Sequence, residues 1–168
     1  MQYRTFSEPK SSYKYAILTQ KLEADGIVRE YLAPYNIPEA DVIAYQLHIT
    51  GKKTSKADQK EFLNDALDVL EDMNVEYIIV TEGEYFKTLT GAKKAEANLG
   101  YVLDIMYPQH NPYPFKVVFC PNYRQVFYDP KKARAKIRMS LTALWNHVHG
   151  VYEAPGHAIL KDANYPQT

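Results

Sequence analysis

The chain has 168 residues, as many acidic as basic side chains, a formal net charge of zero and a sequence pI near 7. This length suits one ordinary domain with a sizeable core. The neutral balance excludes a uniformly basic nucleic-acid binder, so any such role needs charge that is segregated onto one face. Tyrosine is abundant, with 15 copies, and its ring can either stack on bases or fill a half-wet core.

The single cysteine, Cys120, excludes an internal disulfide framework and a cysteine-rich metal or iron–sulfur site. It lies in an apolar run, which favours a buried small side chain over a nucleophile. The histidines show no metal-ligand spacing, so neither a metal nor another cofactor is expected. Residues 1–15 lack the apolar centre of a signal peptide, and no apolar run reaches membrane-spanning length. We therefore expect a cytoplasmic protein with no membrane partner.

Strand and helix patterns alternate along the first half of the chain. Residues 1–12 are polar and predict an irregular arm. The elements predicted after it are the strand Tyr15–Thr19, the loop Gln20–Gly26, a helical stretch Ile27–Tyr35, the strand Asp41–Leu47, the helix Lys56–Met73 with Ser55 at its N-terminus, and the strand Val75–Thr81.

The second half continues this alternation after a turn at Glu82-Gly83. The predicted elements are the helix Glu84–Thr90 ended by Gly91, a short strand within Gly100–Met106, the strand Lys116–Cys120, and a helix that Asp129-Pro130 opens and Gly150 ends. This order predicts an α/β fold of three layers, α/β/α, around a mainly parallel sheet. The domain spans residues 13–150, and residues 151–168 are interpreted as a linker-like tail that leads into a longer protein.

The most informative stretch is residues 116–149, which read as a strand, a polar turn and a basic amphipathic helix. Asn122, Tyr123 and Arg124 form that turn, where an open α/β sheet commonly presents ligand-contacting side chains. They are candidate DNA contacts; the alternative is a turn in which Asn122 bonds its own backbone. Lys131, Lys132 and Arg134 open the helix as candidate phosphate contacts, as do Lys52 and Lys53 after the second predicted strand. In both cases the alternative is a solvated surface.

Taken together, these segments resemble the uracil-DNA glycosylase superfamily over residues 13–150. The similarity lies in Tyr15–Gln20 as the strand that enters the first loop, in EYIIVTEGEYFKTLTG as strand, glycine turn and short helix, and in NYRQVFYDP as the second motif. A degenerate version of this domain precedes the exonuclease in some bacteriophage polymerase I-type DNA polymerases, and the chain looks most like that version.

The chain departs from the family at the residues that carry its chemistry. Gln20 stands where the family has an acidic residue, and a neutral amide is not a general base. Asn122 stands where the family has a histidine that donates to the base. The residue that reads the base edge corresponds to Tyr45 or Gln46. Catalytic residues are therefore expected to be absent, and only Gln20, Glu23, Asp25 and Asn122 remain as weak candidates.

The resemblance implies a non-catalytic domain of a phage DNA polymerase that binds single-stranded or template DNA, or a replication partner, beside the polymerase and exonuclease domains. On this reading Tyr45, Gln46 and the basic turn and helix contact DNA. One alternative is an active glycosylase that uses Glu23 or Asp25 with Asn122. The other is a pure protein-interaction domain.

Overall fold

A six-stranded sheet organises the chain in the computed structural model, which describes residues 1–51 and 54–156. The strands are β1 (Tyr3–Thr5), β2 (Tyr15–Thr19), β3 (Val42–Gln46), β4 (Tyr77–Val80), β5 (Leu103–Asp104) and β6 (Lys116–Phe119). The helices are α1 (Ala24–Ile27), α2 (Lys56–Asp72), α3 (Gly83–Thr90) and α4 (Pro130–Val148). A π-helix, Val28–Leu32, continues α1, and short 3-10 turns complete the connections. The predicted α/β class is confirmed.

The sheet is mixed, with the order β1-β3-β2-β4-β6-β5. Its central strands β3, β2, β4 and β6 run parallel, whereas the edge strands β1 and β5 pair antiparallel with β3 and β6. The parallel centre follows from strand patterns separated by helices, as the sequence indicates. The antiparallel edges are too short, at 3 and 2 residues, to show any periodicity.

Alternating strand residues belong to two separate hydrophobic clusters. In β2, Ala16 and Leu18 belong to the first cluster, while Tyr15 and Ile17 belong to the second. This alternation follows from the two-residue period of a strand, whose side chains point to opposite faces of the sheet. Apolar residues of α2 and α3 lie in the first cluster, and those of α1, the π-helix and α4 lie in the second.

Two terminal segments differ from what the sequence indicates. The polar arm 1–12 is not irregular throughout, because β1 lies within it and pairs with β3. The start of the expected tail contacts the domain: the Val102 N–H donates to the Tyr152 hydroxyl at 2.9 Å, and the Gly156 N–H donates to the Tyr101 hydroxyl at 3.2 Å. The remaining tail, residues 157–168, lies outside the described residues.

Two further features of residues 1–51 and 54–156 bear on function. No helix there has the length and apolarity that a bilayer crossing needs. Cys120 is free and buried, as its apolar surroundings predict.

Candidate nucleic-acid interface

The carboxyl ends of the central strands meet at one edge of the sheet, termed here the carboxyl edge. The chain leaves β2 toward α1, which packs in the second cluster, and leaves β4 toward α3, which packs in the first. The two neighbouring strands therefore send their connections to opposite faces of the sheet. Open α/β sheets form their ligand-binding crevices at such a reversal point.

Polar side chains from three strand ends form a hydrogen-bonded group at this point. We call Thr19, Thr81, Glu82 and Asn122 the strand-end network. The Asn122 side-chain amide donates to Glu82 Oε2 at 3.1 Å and to Thr19 Oγ1 at 3.3 Å. The Thr81 hydroxyl donates to Glu82 Oε2 at 2.7 Å and lies 2.9 Å from Thr19 Oγ1. Thr19, Thr81 and Asn122 are buried and Glu82 is partly exposed, so Glu82 is the member of this network that reaches solvent.

Both the amide oxygen and the amide nitrogen of the Asn122 side chain are hydrogen-bonded inside the protein. Its Oδ1 accepts from the Arg124 N–H at 2.9 Å, which caps the 3-10 helix Tyr123–Phe127. The turn alternative raised by the sequence is therefore present in the structure. With its Nδ2 held by Glu82, Asn122 is oriented by a carboxylate that the sequence predicts only as part of a turn. Glu82 instead precedes α3 as its N-cap residue.

The weak catalytic candidates of the predicted loop 20–26 lie between the end of β2 and α1, and Asp25 is within that helix, so the predicted loop ends earlier than expected. Gln20 is exposed. Glu23 Oε1 lies 3.7 Å from the Arg124 guanidinium, and both side chains are about half exposed. Glu23 and Asp25 line a pocket of about 440 Å³, which also contains Arg29 and Phe127; we call it the loop pocket. The structure thus groups the two carboxylates with each other, while Asn122 pairs with Glu82.

Tyr123 is a core residue, with only 1% of its surface exposed. Its hydroxyl donates to the Lys21 carbonyl at 2.7 Å and accepts from the Glu23 N–H at 3.1 Å. Burial raises its pKa to about 12, so the hydroxyl keeps its proton and its donor role. A Cβ on Gly26 would lie 2.6 Å from the Tyr123 ring. Tyr123 therefore holds the segment between β2 and α1 in place. Neither face of its ring is open to a base, because the side chain is buried.

Tyr45 and Gln46 lie at the end of β3. Tyr45 is buried in the first cluster, and its ring centroid is 5.7 Å from that of Tyr3 in β1. Gln46 is partly exposed and lines a pocket of about 390 Å³ with His48 and Asp58. Of this pair, only Gln46 reaches a solvent-facing cavity.

A group of exposed aromatic and basic side chains follows the Asn122 turn. Phe127 and Tyr128 are exposed by 71% and 88%. Arg124 precedes them, and Lys131 and Lys132 follow in the first turn of α4, both exposed. We call these five residues the aromatic–cationic surface. The sequence predicts its cations as contacts but not its two aromatic rings, because Phe127 and Tyr128 lie outside the strands and helices that the sequence patterns indicate.

Arg134, another predicted phosphate contact, pairs with a buried carboxylate. Its Nε and Nη2 donate to the two oxygens of Glu30 at 3.0 and 3.1 Å. Glu30, which is 4% exposed, also accepts from Arg29 at 2.9 Å. The Arg134 hydrogen bond is the largest cause that lowers the Glu30 pKa. The predicted contacts Lys52 and Lys53 lie outside the described residues.

The described part of the chain contains no group of three or more histidine, cysteine, aspartate or glutamate side chains placed to hold a metal ion. Comparison with models of known protein families and with curated proteins gives no match to this chain.

Proposed function

We propose that this chain is a non-catalytic, uracil-DNA glycosylase-like domain with the α/β/α layering of that family, and that it binds single-stranded or template DNA for a bacteriophage DNA polymerase. The observation that carries the DNA-binding part is the exposure of Phe127 and Tyr128 next to Lys131 and Lys132. Soluble proteins bury most large aromatic side chains, so two adjacent exposed rings suggest a ligand surface.

This arrangement suits unpaired nucleic acid. Stacking of a base on an aromatic side chain contributes about 1–3 kcal/mol and tolerates any sequence, because every base has a π-face. Neighbouring lysines add phosphate contacts whose strength falls with salt as counterions are released. Because the whole chain is neutral, the affinity depends on this local charge and not on a general basic field.

The absence of glycosylase chemistry is supported by the residues at the carboxyl edge. Gln20 provides no general base. Asn122 is bonded to Glu82, Thr19 and its own turn, so presenting its amide to a base would require that network to open. We therefore place DNA binding on the aromatic–cationic surface and no bond cleavage at the strand-end network.

The binding test uses fluorescence anisotropy with a labelled oligothymidylate. Replacing Phe127 and Tyr128 together by alanine is expected to weaken binding about tenfold or more, since two stacking platforms are lost. Replacing Lys131 and Lys132 by alanine should lower the slope of log affinity against log salt by about 1.4. The matched control replaces Lys10 and Lys14 by alanine. This change removes the same amount of charge at the opposite edge of the sheet.

The result that overturns the proposal is the absence of salt-dependent binding by the unmodified protein, or equal losses in the test and control variants. Either result would favour a protein-interaction domain. Incubation with a uracil-containing oligonucleotide followed by alkali tests the proposal that the domain is non-catalytic. Strand breaks above the background without protein would show an active glycosylase and remove the non-catalytic assignment.

A further inference from the structure

A third cavity, which contains no residue of the strand-end network, lies between the π-helix and α4. It has a volume of about 260 Å³ and is lined by Arg29, Glu30, Tyr35, Arg134, Ile137 and Arg138. We call it the arginine pocket. It combines guanidinium groups from two separate helices with one buried carboxylate, although its residues are more than 100 positions apart in the chain.

The charges of the arginine pocket do not cancel. Glu30 is its one acidic lining residue, against three arginines. Glu30 engages Arg29 through Nε and Arg134 through Nε and Nη2. Arg138 takes part in no ion pair with any residue in 1–51 or 54–156. The cavity therefore retains excess positive charge after its internal pairing.

The backbone on one side of this cavity is itself unusual. Arg29 and Glu30 belong to the π-helix Val28–Leu32, and π-helical turns are rare and frequently occur at functional sites. Glu30 holds the Arg134 guanidinium through two parallel hydrogen bonds, which fixes its plane. A buried carboxylate that orients arginines around an open cavity is a preorganised arrangement for an anion.

Tyr35 adds a hydroxyl to the same cavity. Burial raises the Tyr35 pKa, and the positive charge of Arg138 opposes that rise. The hydroxyl therefore stays protonated at neutral pH and can donate a hydrogen bond. Arg138 also hydrogen-bonds to the Tyr35 oxygen, which links the two sides of the cavity and leaves the Tyr35 proton and the other Arg138 N–H groups as donors.

We propose that the arginine pocket binds a phosphate group, with Glu30 as a positioning residue that holds Arg29 and Arg134. Planar guanidinium groups match phosphate oxygens in pairs, which makes arginine the preferred side chain for this recognition. A metal cation is excluded by the surplus of positive charge. The phosphate comes either from a DNA strand or from a free nucleotide.

The DNA source has geometric support. Arg29 lines both the arginine pocket and the loop pocket, and Phe127 also lines the loop pocket. On α4, Lys131, Arg134 and Arg138 are spaced i, i+3 and i+7, so they follow one face of the helix. A strand stacked at Phe127 would continue along this face. The assignment of the phosphate to a DNA strand rests on the proposed function, whereas the phosphate site itself does not.

The test titrates the unmodified full chain with sodium phosphate at constant pH and ionic strength, following the arginine Nε–Hε signals by NMR. Arg138→Gln is the main variant, because it removes one charge without breaking a Glu30 contact. It should weaken phosphate binding at least fivefold. The control, Lys60→Gln on α2, removes the same charge elsewhere and should change the affinity less than twofold. Equal phosphate affinity in Arg138→Gln and the unmodified chain would overturn the proposal.

Two further probes, an oligothymidylate and deoxyadenosine monophosphate, separate the sources and separate this proposal from the preceding one. A loss of oligothymidylate affinity in Arg138→Gln supports a DNA phosphate. Loss of mononucleotide binding alone supports a free nucleotide. If phosphate binding depends on Arg138 but the protein does not bind oligothymidylate, the phosphate site is supported and the proposed DNA-binding function is contradicted. If oligothymidylate binding depends on Phe127 and Tyr128 but phosphate affinity is unchanged in Arg138→Gln, the DNA-binding function is supported and the phosphate site is contradicted.

Discussion

Glu30 shows how one buried charge can organise its surroundings. A carboxylate removed from water is stable in its ionised form only when it is paired and hydrogen-bonded. Arg134 supplies two hydrogen bonds and Arg29 a third. The two bonds from Arg134 join α4 to the π-helix, whereas the Arg29 bond lies within the π-helix.

Replacing Glu30 by glutamine should destabilise the protein in a pH-dependent way. The folded-state pKa lies below the ordinary value of 4.5, so folding favours the ionised form. Its stabilisation is complete above that value and is lost as the pH falls through the lowered pKa. At neutral pH we expect Glu30→Gln to lower the free energy of unfolding by about 2 kcal/mol. Urea denaturation at neutral pH and at about pH 3 measures the difference, which should shrink in acid.

The exposed Glu39 provides the matched control for this experiment. Glu39→Gln should differ little from the unmodified chain at either pH, because surface charges contribute weakly to stability. A Glu30→Gln penalty that stays constant down to acid would show that the side-chain shape, and not the ionised carboxylate, stabilises this position.

At the scale of one element, α4 was the best-predicted part of the candidate site. Asp129 accepts a hydrogen bond from the Lys132 N–H at 3.2 Å, and Pro130 occupies the first turn. Both are common at helix N-termini, because proline needs no N–H partner there and aspartate satisfies a free backbone donor. The sequence therefore indicates where α4 starts. The cap fixes the first turn of α4, which carries Lys131 and Lys132.

Asp129→Ala should lower the free energy of unfolding by about 1 kcal/mol, because the Lys132 N–H loses its side-chain partner. Asp129→Asn, which keeps an acceptor oxygen at the same place, should retain most of the stability. Urea denaturation of both variants makes the comparison. Equal destabilisation by alanine and asparagine would mean that the charge of Asp129, and not its capping bond, matters.

Other elements show where sequence patterns fail. The central strands were predicted because their apolar runs lie between clear helix or turn signals, and the boundaries agree within a few residues. The π-helix was missed because its apolar spacing within residues 27–35 matches an ordinary helix. Strand β1 was missed because Tyr3–Thr5 is short and polar and forms only by pairing with β3.

At the scale of the whole molecule, the site depends on the order of strands in the sheet. Thr19 and Thr81 end two predicted strands and Asn122 follows a third, which is the signal that the sequence offers. Their contact requires β2, β4 and β6 to be neighbours, and a single sequence does not give that order. The burial of Tyr123 could not be predicted for the same reason, since its partners Lys21 and Gly26 lie in the distant segment that runs from the end of β2 into α1.

Cys120 provides a measure of whole-molecule stability, because it is the one cysteine in the sequence and is buried at the end of β6. Burial raises the pKa of its thiol, so the reactive thiolate is suppressed in the folded state. We expect a thiol reagent to label the folded protein at least about 10³-fold more slowly than the unfolded chain. The rate should rise with urea in parallel with global unfolding.

A chain with Cys120→Ala and Ser11→Cys is the matched control, because Ser11 is exposed. It should react at nearly the unfolded rate in both native buffer and urea. Rapid labelling of Cys120 in native buffer would reveal local opening of the carboxyl edge, independent of global unfolding.

The pairing of β1 with β3 has a consequence for how the protein behaves in solution. Strand β3 (VIAYQ) is almost entirely buried and apolar, and without β1 its outer row of N–H and C=O groups would be open to pairing. Exposed apolar edges of this kind recruit strands from other molecules and promote aggregation. Tyr3–Thr5 thus covers the buried apolar strand β3 with a short polar strand, which becomes the edge of the sheet instead. A tag or fusion joined at Met1 must leave that cover free to form.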